Sequence, residues 1–405
     1  MKKITLLIIL GILYVNTGIL AQNIGIGTAA PQARLHVADS SVVFTASGDI
    51  ESPAGFPPVE TVGRRMMWYP SKAAFRVGYT SNANSNLWTK DNIGYYSFAA
   101  GQSTNASGLA AFAVGSGCRA SGNYSVAMGT STASGNQSTA SGNSTASAVG
   151  SVAMGAATAS APHAIAFGFV ANANADNAIA LGHLVTASGI SSVAMGHLVT
   201  ANGNSSTAMG NYVTTSGFEG AFTIGDNSTT TVMQTFVANG FRARFAGGYR
   251  LFTNSDANIG SFLNAGANSW AALSDVRLKE NFEKVDGESF LRKIATMPLT
   301  TWNYKTQAPE TFRHYGPMAQ DFFEAFGKDS YGTIGCDTLI NQQDFLGVNL
   351  IAIQALEKRT GTQHKKLEDL QKENQQLKQE LDEIKTMLKI ILSDQTAVET
   401  VAEKK

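Results

Sequence analysis

Cysteine is almost absent from this chain: Cys118 and Cys336 are the only two among 405 residues. A disulfide framework is therefore excluded as the source of stability, and two isolated thiols are expected. Charge is missing from the middle of the chain. Between residues 91 and 240 the charged side chains are Asp91, Arg119, Asp176, Glu219 and Asp226. So few carboxylates argue against the acid-lined groove that sugar hydrolysis needs. The formal net charge is zero, which gives no reason to expect nucleic-acid binding. Long apolar runs are absent too. The one at residues 4–15 is shorter than the ~20 residues of a membrane-spanning helix, so no membrane span is expected. No phosphate-cradling glycine loop and no zinc-ligand spacing occurs, and neither a cofactor nor a metal is expected. His163, His183 and His197 read as surface polar residues rather than metal ligands.

The charge that is present is unevenly placed, with roughly two thirds of it in residues 275–405. That split argues for physically different regions. Lys2 and Lys3, the short apolar run and Ala21 form the pattern of a signal peptide, residues 1–21, with cleavage after Ala21. Export to the cell surface or beyond is the expectation. Residues 22–94 alternate short strands with a Pro-rich linker at 52–58. An aromatic stretch follows, with Trp68, Tyr69, Phe75, Tyr79 and Trp88, suited to covering the end of a repeat array.

Residues 95–226 repeat. The unit is Ser-x-Ala-x-Gly, four residues, then Ala-Ser-Gly. Its alanine–glycine pairs run from Ala99/Gly101 through Ala113/Gly115, Ala127/Gly129 and Ala140/Gly142 to Ala208/Gly210. A degenerate copy sits at Thr223/Gly225, and successive glycines lie thirteen or fourteen residues apart. That period is too short for a helical hairpin and fits one coil of a β-solenoid with two strands and two turns. Glycine would supply positive φ at the turns. Alanine would sit where backbones crowd. Phe98, Val126, Met128, Met154, Ile165, Phe167, Ile179, Leu181, Met195 and Met209 would supply apolar packing by alternation. About ten coils at ~4.8 Å spacing make a rod of roughly 45 Å. The strict phase of the bulky residues argues against a disordered Ser/Ala/Gly linker.

This unit resembles the head repeat of YadA-like trimeric autotransporter adhesins. The resemblance implies a trimeric left-handed parallel β-roll, hence a homotrimer, and a host, cell-surface or glycan ligand for the head. The chain departs from that family at its C-terminus, which is a charged helix rather than a membrane barrel. Residues 227–273 alternate like exposed strands and are expected to form a β neck.

Beyond Ser274 the pattern becomes α/β. A short amphipathic helix is expected at 288–297, strands at 299–304 and 312–315, and a second helix at 318–326 stopped by Gly327. A third helix begins near Gly347. Leu367, Leu370, Asn374, Leu377, Leu381, Ile384, Leu388 and Ile391 then alternate three and four apart. That is the heptad of a coiled coil, 364–392, with Asn374 as a register-setting polar residue. Residues 393–405 read as a disordered tail. The fold class expected is thus mainly β, with a small α/β domain at 274–363 and a C-terminal coiled coil.

The run Ser274-Asp275-Val276-Arg277-Leu278-Lys279-Glu280-Asn281 resembles the opening motif of the peptidase S74 family. These are intramolecular chaperone domains at the ends of phage tail spikes and endosialidases. Tyr315 to Asp321 and Val348 to Ala352 are also similar to that family, with Pro317 and Asp321 as mild departures. The resemblance implies Ser274 as nucleophile and Lys279 as its base, cutting the chain at Leu273, Ser274 and Asp275. A serine hydroxyl needs an adjacent base, and a lysine serves as one when burial and nearby cations such as Arg277 favour its neutral form. Five residues do not share a helix face. A turn must join the pair, or the lysine must come from a neighbouring chain. The functional expectation is a secreted homotrimeric fibre or adhesin whose C-terminal chaperone drives folding and then cuts itself off. An uncut surface protein with a permanent stalk, or a trimeric polysaccharide-degrading enzyme using the same chaperone, are the alternatives.

Overall fold

A computed structural model describes residues 23–402, with side chains described through Ser393. The expected signal peptide lies outside these residues. The chain divides into two compact units, one ending at Gly247 and the other starting at Gly248.

The first unit is a β-solenoid. Some coils contribute a longer strand, such as Phe112–Ser116, and a two-residue strand, such as Arg119–Ala120, whereas in others the two run together, as in Ile165–Ala173; each pairs in parallel with its counterpart one coil away. Register follows the repeat: Ala99, Ala113 and Ala127 stand over one another, as do Gly101, Gly115 and Gly129, and a bulge between Ala156 and Thr158 absorbs one of the changes in coil length. The stack extends one rung beyond the repeats at each end. Ala74–Thr80 pairs in parallel with Phe98–Gln102, and Phe241–Arg244 pairs in parallel with Phe222–Gly225. The stack is therefore longer than the repeats alone indicate, and the expected neck at 227–273 begins inside it.

Each letter of the repeat has a structural cause. The serine is buried and closes a turn: Ser125 Oγ donates to the Gly122 carbonyl at 2.6 Å, and Ser138 Oγ to that of Gly135 at 2.7 Å. The alanines fill the bore, and Ala99 through Ala208 at this position are completely buried. The bulky residues do not pack inside, contrary to the alternation argument. Met128, Phe167 and Met195 retain 37–39% of their surface. A coil this short leaves room between its walls only for small side chains, alanine on one wall and Cys118, Val185, Val199 and Val213 on the other, so the residues flanking each alanine point outward. They form an apolar, two-column face along the rod.

Both ends of the bore are closed by arginine. Arg76 stands in register with Ala99 and is fully buried. Its guanidinium donates to the carbonyls of Phe75, Ser97 and Ala106 and to Ser97 Oγ, at 2.8–3.0 Å. Burial pulls its pKa down to about 10. Trp88, Tyr69 and Ile93 pack beneath it, the end cover expected of the aromatic stretch. At the other end Arg244 replaces the ladder glycine opposite Gly225 and donates to the carbonyls of Asn211, Asp226 and Thr231 at 2.8–3.3 Å.

Asp226 completes this cap. Its carboxylate accepts from the Ala246 N–H at 2.6 Å, Ser228 Oγ at 2.8 Å and Arg244 Nε at 3.2 Å. The Ala246 N–H, followed by Ser228, holds its pKa down at about 2. A depressed carboxylate stabilises the folded cap above its ordinary value of 3.8, and the contribution is lost as pH falls through about 2. Hydrogen exchange at the last rung, Phe241–Arg244, is therefore expected to accelerate between those values before the central rungs respond. Equal acceleration in an Asp226→Asn variant already at neutral pH checks the assignment.

In the second unit, Gly248–Phe252, Gly260–Asn264 and Ala271–Ala272 form a small antiparallel sheet. Helix α1 (Gly287–Thr296), helix α2 (Ala319–Phe326) and the pair Thr300–Trp302 with His314–Gly316 follow, close to the expected bounds. Gly327 ends α2, its N–H reaching the Phe323 carbonyl at 2.7 Å. Helix α3 (Gln342–Ala402) is unbroken, so the expected boundary at 363/364 lies within one helix. It also continues through 393–402, expected as a disordered tail, because no glycine or proline follows Gly361. Phe322, Phe326 and Val348 form a core joining α2 to α3, with Phe290 and Ile294 of α1 against it. Arg359 pairs with Glu288, tying α3 to the start of α1.

Candidate functional site

The last pairing before the motif is the short strand Ala271–Ala272, after which the Leu273 N–H reaches the Gly260 carbonyl at 3.4 Å. The chain then leaves the sheet and enters a single 3-10 turn, Val276–Leu278. Asp275 is the reason for that turn. Its carboxylate accepts from the Arg277 N–H at 2.9 Å and also pairs with the Arg277 guanidinium. The Arg277 side chain, and after it the backbone N–H, hold the Asp275 carboxyl below the usual carboxylate range.

The turn folds the chain back by the distance five residues need. Lys279 Nζ donates to Ser274 Oγ at 2.6 Å. Of the two routes open from sequence, a joining turn or a neighbouring chain, the turn places the lysine beside the serine within one chain. Arg277 behaves otherwise than expected. It is engaged by Asp275, which raises its own pKa further, and it orders the turn rather than lending its charge to the lysine site.

Both members of the pair are exposed, and so are the apolar side chains around them, Leu273, Val276, Leu278 and Phe282. In a single chain the amine faces water and acts as donor to the hydroxyl. Base catalysis needs the reverse, a neutral amine accepting the hydroxyl proton.

Other residues singled out from sequence fall elsewhere. His183 and His197 stand on adjacent rungs with rings 5.0 Å apart and nearly parallel, between Phe169 and Tyr212. Among the described residues no group of three or more His, Cys, Asp or Glu could hold a metal ion. Cys118 is buried in the bore and Cys336 is half-buried, and both are free thiols. Among the described residues no helix is long and apolar enough to cross a membrane. The two capping arginines were missed from sequence. Their signal was available, since Arg76 and Arg244 flank the charge-poor stretch on either side.

A rod of Ser-x-Ala-x-Gly coils and a separate α/β unit opening on a serine–lysine pair define a repeat-head protein with a C-terminal chaperone-type module. Comparison with known families agrees in both parts. Residues 119–132, 159–183 and 187–212 match the YadA head domain repeat. Residues 274–329 match the Peptidase_S74 model, chaperone of endosialidase. The two stand in that order along the chain, as the resemblances imply. No curated protein matches the chain.

Proposed function

We propose that this protein is an exported homotrimeric fibre of adhesin or tail-spike type, whose C-terminal module drives trimer folding and then cuts the chain at Ser274. The observation that carries the reading is the 2.6 Å contact between Lys279 and Ser274 at the first residue of the chaperone match.

Two further features support assembly. The outward face of the solenoid is apolar over most of its rungs, far beyond the scattered apolar residues a monomer shows. Helix α3 carries an exposed row of Leu367, Leu370, Leu377, Leu381 and Ile384. The same heptad phase, followed backwards, reaches Leu356, Ile353 and Leu346, all exposed. Gln363, Thr360 and Asn349 share that phase, so the seam becomes continuously apolar only from Leu367 onward, apart from Asn374. Linking three chains there raises the local concentration of the heads before their long-range stacking begins.

Assembly also supplies what the dyad lacks. Packing of Leu273, Val276, Leu278 and Phe282 against neighbouring chains excludes water from Lys279 and favours its neutral form. Ser274 Oγ then attacks a peptide carbonyl at the junction while Lys279 takes the hydroxyl proton and passes it to the amine that leaves as the peptide C–N bond breaks. Water then hydrolyses the resulting ester and restores the Ser274 hydroxyl. The cut thus reports completed assembly. Leu377→Asp combined with Leu381→Asp disrupts the seam far from the dyad. This variant is expected to stay unassembled and uncut on denaturing gels, and efficient cutting in the monomer would overturn the coupling. A head that stays trimeric after the module is removed favours the released fibre over the permanent stalk.

A further inference from the structure

The apolar face of the solenoid carries polar side chains at two rungs: Thr207 stands alone beside Met209, and one rung is polar in both columns. From residue 98 to 224, each rung presents two outward side chains, one on either side of the buried alanine or its equivalent. At a single rung both are polar, Thr139 and Ser141 flanking Ala140. Their neighbours in register are Val126 and Met128 on one side and Val152 and Met154 on the other. Among the described residues, neither hydroxyl has a hydrogen-bond partner within its own chain.

We infer that this polar rung sets the axial register of the three chains, and that its occupant is the same rung of two further copies of this protein. The inference rests on the homotrimer reading. The repeats create a problem within the head, at a distance in sequence from the C-terminal heptads and Asn374, that such a device solves locally. A rod of near-identical coils buries almost as much apolar surface when one chain slips by a rung, ~4.8 Å, as when all three align. Aligned, three Thr139 and three Ser141 hydroxyls meet one another. Serines where the adjacent layers have methionines leave a gap that is polar and large enough for water, which needs about 30 Å³ per molecule. Slipped by one rung, the hydroxyls of one chain face Val126 and Met128, or Val152 and Met154, of the next. Polar groups buried without partners cost free energy, so the slipped state is disfavoured. A self-matching notch also argues that the partner is another copy, because a different protein would have no reason to be polar at that height. The logic is that of a polar residue at one core position of a coiled coil, which gives up stability to fix alignment.

The test moves the notch by one rung. Full-length chains carrying Thr139→Val, Ser141→Met, Val152→Thr and Met154→Ser are co-expressed with wild type under two affinity tags. Two differently tagged wild-type chains are expected to mix at random, giving roughly three quarters mixed trimers. Wild type with the moved-notch variant is expected to give at least tenfold fewer, on the order of the discrimination a buried polar mismatch provides. Mixing at the random level would overturn the inference while leaving the trimer intact. Sedimentation of wild type as a monomer would overturn the trimer reading and the inference with it. The filled variant, Thr139→Val with Ser141→Met, gives an independent reading that does not need the moved notch to fold. Its melting temperature is expected to rise while cysteine pairs placed on facing rungs cross-link out of register. A lower melting temperature with register intact would also overturn the inference.

Discussion

Ser274→Ala leaves the chain in one piece. Assembled wild type is expected to yield a C-terminal fragment starting at the junction of Leu273, Ser274 and Asp275, whereas the variant yields none. The effect is this large because the reaction has one nucleophile, and nothing else on the 3-10 turn can form the ester. Lys279→Met is expected to slow cutting by about a thousandfold or more, since an unassisted serine hydroxyl is a weak nucleophile. The double variant is expected to be no slower than either single one, because the two side chains act as a unit. Trimer formation should be unaffected in all three, as both side chains lie outside the heptad seam. Denaturing gels, sedimentation and mass spectrometry of the fragment measure these outcomes together. A cut that persists in Ser274→Ala would place the nucleophile elsewhere.

Gly182→Val is expected to unfold the head. Gly182 has φ of +135°, a backbone conformation that side-chain-bearing residues rarely adopt. A Cβ there would also lie 2.0 Å from the carbonyl oxygen of Gly196 on the next coil. Neither atom can yield, because both belong to backbones held in a parallel ladder on either side. Strain and clash together are expected to cost more than about 5 kcal/mol, beyond the range of ordinary substitutions. In a solenoid the loss falls first on the coils that stack on the altered one. Thermal melting and proteolysis of the head measure it. Gly117→Val, at φ of +68° but with nothing within 4 Å of an added Cβ, keeps the strain and lacks the clash, and is expected to cost less.

Some of this protein was legible residue by residue. Glycine and serine declared the turns, because a backbone with positive φ or a closing hydroxyl is a local demand that does not depend on distant contacts. Gly327 marked the end of α2 for the same reason. The motif at Ser274 was readable because its contacts are local, Asp275 with Arg277 and Lys279 with Ser274, all within six residues. The phase of the bulky residues was equally plain, but its meaning was inverted. Alternation says that Met128 and Ala127 face opposite ways, and it does not say which way is in.

That choice belongs to the tertiary structure. The sequence by itself determined the repeat, its period, the boundary at residue 274 and the two side chains that meet there. Only the stacking of coils decided that alanine and a few valines fill the bore while the methionines and phenylalanines stay outside, because its width depends on the approach of two strands that no single repeat specifies. The same stacking turned Arg76 and Arg244 into end caps, since it brings the carbonyls of Ser97 and Ala106 to the first and those of Asn211 and Asp226 to the second. Only the fold of the turn decided that Lys279 reaches Ser274 within one chain, because five residues of sequence fix a maximum span and not a direction.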